Sequence, residues 1–95
     1  MDERRHRSFP FFAERLRMAR EAAGLRPSEA ADRSGISRQV WSDWEHSRRV
    51  VGSAEELRRI CDLLQADPGW LLGVSDVQRP WPAERGEPQA RERKG

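Results

Sequence analysis

The segment Leu25-Arg-Pro-Ser-Glu-Ala-Ala-Asp-Arg-Ser-Gly-Ile-Ser-Arg-Gln-Val-Trp-Ser-Asp-Trp-Glu45 limits the possible folds more than any other part of the chain. Its residues spell two short helices joined by a tight turn. Pro27 suits a first helical position, where its missing N–H is no loss. Gly35 suits the left-handed residue that closes a helix. Ser37 suits the N-cap of the next one. Ala30 and Ala31 give the first helix a small-residue face, so its backbone can lie close to a neighbour. In the second, Trp41 and Trp44 share a face with Ile36 and, in part, Val40. Arg38, Gln39, Ser42, Asp43 and His46 occupy the other. That division describes a helix half buried and half offered to something polar.

The flanking sequence extends the same pattern. Ser8 can cap a first helix with Pro10 in its first turn. Phe9, Phe12, Leu16, Ala19 and Ala23 make one apolar stripe, and Gly24 ends it. Ser53-Ala-Glu-Glu56 has capping-box spacing and opens a fourth helix with Leu57, Ile60, Cys61 and Leu64 inward. Asp67-Pro68 opens a fifth carrying Trp70, Leu71 and Leu72, closed by Gly73. The chain has 95 residues, no Tyr and few β-branched residues, and lacks period-two alternation. The expectation is all-α: a compact five-helix orthogonal bundle over residues 8–76. It lies between a flexible basic arm at 1–7 and a disordered Pro-, Arg- and Glu-rich tail at 77–95. A domain this small is marginally stable alone. Trp41, Trp44 and Trp70 supply much of its core, about 150–250 Å² each when fully buried.

Several functions find no support. Apolar runs are too short to span a membrane, and Met1 to Arg7 lacks the apolar stretch of a signal peptide. A single cysteine suits a reducing cytosol and a small core residue. His6, His46 and Cys61 have no metal-ligand spacing, so no metal is expected. No cofactor is expected either, since no glycine-rich phosphate loop is present. No nucleophile–base order stands out, so the chain reads as a non-enzyme. Residues 1–50 hold 11 Arg against 8 acids, a balance of +3. Residues 51–95 hold 7 basic residues against 8 acids, a balance of −1. That asymmetry permits nucleic-acid binding through a local face without demonstrating it.

Two short helices set steeply by a glycine turn are a device for pushing one helix into the DNA major groove. The order of features resembles the helix-turn-helix domains of the phage lambda-type repressor and Cro (XRE) family. The resemblance runs from about Phe12 to Gly73. It rests on Arg20-x-x-x-Gly24-Leu25, Glu29-Ala-Ala31, Gly35-Ile-Ser37, Trp44-Glu45 and Trp70-Leu-Leu-Gly73. It implies a structural ion pair between Arg20 and Glu45, which staples the recognition helix to the scaffold. It also implies base reading by Arg38, Gln39, Ser42 and Asp43. Arg38 can grip guanine O6 and N7, and Gln39 can pair with adenine N6 and N7. Asp43 can accept from cytosine N4, or instead hold Arg38 or Arg33 in position. Ser28, at the start of the second helix, and Ser37, Arg48 and Arg49 are placed for phosphate contacts. The alternative for Arg48-Arg49 is a solvated loop.

The chain departs from the family pattern at three positions. Pro27 stands where a phosphate-contacting glutamine is usual, Ala30 where a leucine is, and Ser47 where a glycine is. The implied function is a cytoplasmic, nucleoid-associated transcriptional regulator, a repressor, that binds double-stranded operator DNA as a homodimer. The alternative is a protein–protein interaction module of antitoxin or regulatory-subunit type on the same fold, with weak or no DNA binding. Arg4-Arg5-His6-Arg7 could track a DNA groove or stay solvated. Trp81, between Pro80 and Pro82, could dock a partner or close over a dimer interface.

Overall fold

Caps and turn residues set the boundaries of five helices in the computed structural model, which describes residues 9–82. These are α1 (Phe12–Ala22), α2 (Pro27–Ser34), α3 (Arg38–Glu45), α4 (Ala54–Leu64) and α5 (Pro68–Leu72). No strand occurs among the described residues. The all-α, five-helix expectation is met.

α1 begins later than its sequence suggests. The Phe12 N–H donates to Phe9 O at 3.2 Å, so a turn precedes the helix. Pro10 sits second in that turn, a position its fixed φ favours. Phe11 occupies the N-cap without a side-chain cap bond, and Ser8 lies outside the described residues. Phe12, Leu16 and Ala19 are buried as the stripe requires, but Ala23 is exposed. Ala23 is the residue where the chain leaves the helix, so the stripe does not continue through it.

The link between α2 and α3 is a Schellman turn. Gly35 adopts φ 74°, and the Ile36 N–H reaches back to Ala31 O at 2.9 Å. Ile36 is thereby carried into the core beside Ala31. Two residues on, Ser37 Oγ accepts from the Val40 N–H at 3.0 Å and starts α3. The close spacing of this stop and start lets the chain change direction between α2 and α3 within three residues. Beyond α3, Ser47 takes φ 60°, the left-handed conformation that a glycine would adopt without a Cβ penalty.

At the start of α4, Ser53 Oγ accepts from the Glu56 N–H at 3.1 Å. The reciprocal half of the capping box is displaced by one residue: Glu56 Oε1 takes the Gly52 N–H, at 2.9 Å. Asp67 Oδ2 caps α5 through the Trp70 N–H at 2.9 Å.

Trp41, Trp44, Phe12, Leu16, Ile60, Leu71 and Cys61 are the largest fully buried side chains. Phe12 meets Trp44 edge-on at 6.0 Å between ring centroids, and Trp41 lies 5.7 Å from Trp44. Ala30 and Ala31 are wholly buried, so α2 packs by its backbone where bulkier side chains would hold it away. Arg15 ties α1 to α5: its guanidinium lies 4.7 Å from the Phe11 ring centroid and 5.0 Å from that of Trp70, and Nη1 donates to Trp70 O at 2.7 Å.

Residues 77–82, which the sequence places in the tail, run back along α4. Trp81 is half-buried against the core, and its indole N–H donates to Asp62 Oδ1 at 2.9 Å. It lines a groove of about 560 Å³ with Leu57, Arg58, Cys61 and Pro68. The basic arm of residues 1–7 and the segment 83–95 lie outside the described residues.

Candidate nucleic-acid interface

α3 is anchored on one face by a buried polar cluster. Arg20 Nε donates to Glu45 Oε2 at 2.6 Å and Arg20 Nη2 to Glu45 Oε1 at 3.0 Å, a bidentate fork. Arg20 Nη1 donates to Leu25 O at 2.9 Å. Trp41 Nε1 donates to Glu45 Oε2 at 2.7 Å. The side chains of Arg20 and Glu45 are only 10% and 6% exposed. The hydrogen bond to Glu45, opposed by burial, holds the Arg20 guanidinium pKa above its ordinary value. Arg17 Nη1 adds a bond to Glu45 O at 3.3 Å. α1 thus fixes the C-terminal end of α3, and the turn at Gly35 fixes its start.

The opposite face of α3 is open. Arg38 and Gln39, on its first turn, are exposed; Ser42 and Asp43 are half-buried. Arg38 does not project freely. Its Nη2 donates to Asp32 Oδ2 at 2.7 Å and its Nε to Asp32 Oδ1 at 3.1 Å, across the turn to α2. Each member holds the other charged: the Asp32 carboxyl pKa is lowered and the Arg38 guanidinium pKa is raised by their mutual hydrogen bonds.

Asp43 corrects one expectation. It holds neither Arg38 nor Arg33. Its Oδ1 accepts from Gln39 Nε2 at 3.0 Å and from Arg48 Nε at 3.0 Å, and its Oδ2 lies 3.6 Å from Arg49 Nε. The cause is the path of the chain after α3. The Arg48 N–H donates to Asp43 O at 2.8 Å, which folds the 47–49 loop back over the end of the helix. Arg38 lies a full turn away and pairs with the nearer acid on α2. Hydrogen bonds from Gln39 and Arg48 lower the Asp43 carboxyl pKa.

The residues expected at the rim sit on α2, at the cap of α3 and in the loop after it. Ser28 is half-buried on the first turn of α2, beside Glu29, whose Oε1 accepts from the Arg26 N–H at 2.8 Å. Ser37 is exposed, with its hydroxyl oxygen engaged in the α3 cap. Arg48 and Arg49 are both exposed, in a loop continuous with α3. The loop therefore contributes two cations at one end of the helix and Arg38 a third at the other.

The sequence reading gives two participants no part in the site: Trp41 is only a core residue there, and Asp32 has no role. Trp41 is four residues before Glu45, a spacing that places side chains together on a helix, so its contribution was legible. Asp32 pairs with Arg38 only because Gly35 reverses the chain, and no local spacing rule reports it.

With this geometry in place, the comparison with known proteins is decisive at family level. A family description of a helix-turn-helix domain matches residues 12–70. The chain belongs to the helix-turn-helix domain family. That bears out the likeness to lambda-type repressors and Cro. The coarse function goes with membership: a helix-turn-helix domain suggests a DNA-binding regulator. No curated protein and no solved structure matches the chain. Among the described residues of this helix-turn-helix chain, no helix is long and apolar enough to cross a membrane, and no three metal-ligating side chains cluster.

Proposed function

We propose that the chain is a sequence-specific transcriptional regulator, a repressor that inserts α3 into the major groove of operator DNA. The observation that carries this reading is the division of α3. Its last turn is clamped to the scaffold through Glu45, while Arg38 and Gln39 stand exposed on its first turn. A rigid helix with exposed bidentate side chains near its N-terminus is the geometry that base reading requires. Arg38 would read guanine and Gln39 adenine. Ser42 would lie alongside the bases, while Asp43 acts on its neighbours. Ser28, Ser37, Arg48 and Arg49 would grip phosphates on either side. Acting as a homodimer at the nucleoid, the protein would span two half-sites roughly 34 Å apart on a palindromic operator. Repression would follow from occupying promoter DNA.

A second reading has one observation in its favour. Glu29, Asp32 and Asp43 all border the face that would meet phosphate, and each is engaged with nearby donors. A face bearing three carboxylates suits a protein partner better than a bare basic face would, and a regulatory subunit or antitoxin-like module would use it so.

A salt titration of duplex binding separates the two. Counterion release makes the affinity of a DNA binder fall by orders of magnitude between low and moderate salt when several phosphates are contacted. A protein-docking module would show no measurable duplex binding even at low salt. Selection of bound sites from randomised duplexes then tests symmetry and half-site spacing together.

A further inference from the structure

Asp43 stands at the junction of the two kinds of contact that a DNA-reading surface needs. Its side chain is 14% exposed, on a helix face whose neighbours Gln39 and Arg48 are open to solvent. A single oxygen, Oδ1, accepts from both Gln39 Nε2 and Arg48 Nε at 3.0 Å, while Oδ2 lies near Arg49. A carboxylate can only accept, so it dictates which end of the Gln39 amide faces it. The nitrogen must turn inward to Asp43. One N–H and Oε1 of the amide stay available, side by side and in a fixed order. A donor beside an acceptor in fixed order is what adenine N7 and N6 require in the major groove.

Resting on the DNA-binding reading above, we propose that Asp43 is a positioning residue: it touches no base but orients the Gln39 amide for adenine and joins it to the guanidinium groups of Arg48 and Arg49. The consequence is a coupling between backbone grip and base reading. When the two arginines settle on phosphates, the carboxylate they hold is drawn with them, and the amide it orients moves too. A duplex that places the phosphates correctly but offers the wrong base pair leaves the oriented amide unpaired.

Asp43→Asn tests this with almost no change of shape. An asparagine can accept or donate, so it no longer forces one orientation on Gln39. The probe is the duplex most enriched by the wild-type chain from a randomised pool, with each base pair varied in turn. Gln39→Ala first identifies the pair that Gln39 reads. Asp43→Asn is expected to reduce discrimination at that same pair by about fivefold to a hundredfold, the range of one bidentate contact. Combining it with Gln39→Ala should produce no further loss there, since the two act as one unit. Arg48→Ala offers a second route that leaves both residues in place. Beyond a uniform loss of affinity, it too should reduce discrimination at the Gln39 pair. Circular dichroism verifies that each variant is folded. If both variants weaken all duplexes equally and leave discrimination intact, Asp43 merely shapes the loop and the proposal fails while DNA reading stands. If the wild-type chain shows no salt-dependent duplex binding at all, both readings fall together.

Discussion

Two arginine–carboxylate forks hold opposite ends of the same helix, and burial separates their roles. Arg20–Glu45 and Arg38–Asp32 are both bidentate and nearly equal in length. The first has side chains 10% and 6% exposed; the second has 68% and 54%. Water screens the exposed fork, and such pairs are worth about 0–1 kcal/mol. The buried fork has exchanged its water for Glu45's three donors and cannot open without stranding a charge. Identical geometry thus gives a rivet at one end of α3 and a latch at the other. A reading helix needs both: a fixed axis, and side chains that exchange their protein partners for a base at little cost.

The largest effect should come from breaking the rivet. Glu45→Gln leaves the buried Arg20 guanidinium with only the exposed Glu21 carboxylate, 3.9 Å away, as counter-charge, and about 3–5 kcal/mol of stability should be lost. For a domain of this size that is a fall of at least about 12 °C in Tm, measurable by circular dichroism. Arg20→Met combined with Glu45→Leu should recover part of the loss, since neither charge remains. Recovery should be incomplete because the Trp41 indole N–H then loses its acceptor. If Glu45→Gln melts within a degree or two of the wild type, the contrast between the two forks collapses.

Cys61 supplies an independent reporter of the same loss. Burial, then the Asp62 and Asp67 charges, push its thiol pKa up to about 12. The thiol is therefore protonated and shielded in the folded chain. Folded stability from this group is full below the ordinary thiol value near 9.0 and declines as pH rises from there towards 12. At about pH 8, near the ordinary value, alkylation should wait on unfolding. Labelling should be slow in the wild type and much faster in Glu45→Gln. Rapid labelling of the folded wild type would mean that the core around α4 is open.

On the other face, stability and recognition should separate. Replacing Arg38 and Gln39 with alanine should move stability by no more than about 0.5 kcal/mol, as expected of exposed positions. Base discrimination should relax by about 1–3 kcal/mol for each lost bidentate contact, read as Kd ratios on a selected duplex and its single-base variants. An unchanged footprint would remove α3 from the role assigned to it.

Most of the scaffold was legible from residues that act locally. Pro27, Gly35, Ser37, Ser53, Asp67 and Gly73 each do in the fold what their chemistry suggests, because a cap or a left-handed turn depends on its immediate neighbours. The Arg20–Glu45 fork was legible only through the family resemblance, since 25 residues separate the partners. Local reading misplaced the start of α1, where Pro10 serves a turn just ahead of the helix. Its alternative that Asp43 holds Arg38 or Arg33 also failed, because the fold of the 47–49 loop decides which side chains reach it. Asp32 went unnoticed for a related reason: a surface acid on one helix gives no sign that a turn will deliver an arginine to it.

Asp32 also gives the finest test of the comparison. If the exposed fork is a latch that Arg38 must release to read guanine, Asp32→Asn removes a competitor and a charge that repels phosphate. Duplex affinity should then rise, by less than about 1 kcal/mol, or no more than about fivefold in Kd. Acidification cannot produce this gain near neutral pH. The hydrogen bond from Arg38 lowers the Asp32 carboxyl pKa beneath its usual 3.8, so the fork is intact above that value and opens only as pH falls below it. A fall in affinity on Asp32→Asn would reverse the assignment. Asp32 would then be aiming Arg38 into the groove through the shared fork, and the exposed pair would act on its small scale as the buried one does, by holding a guanidinium in place.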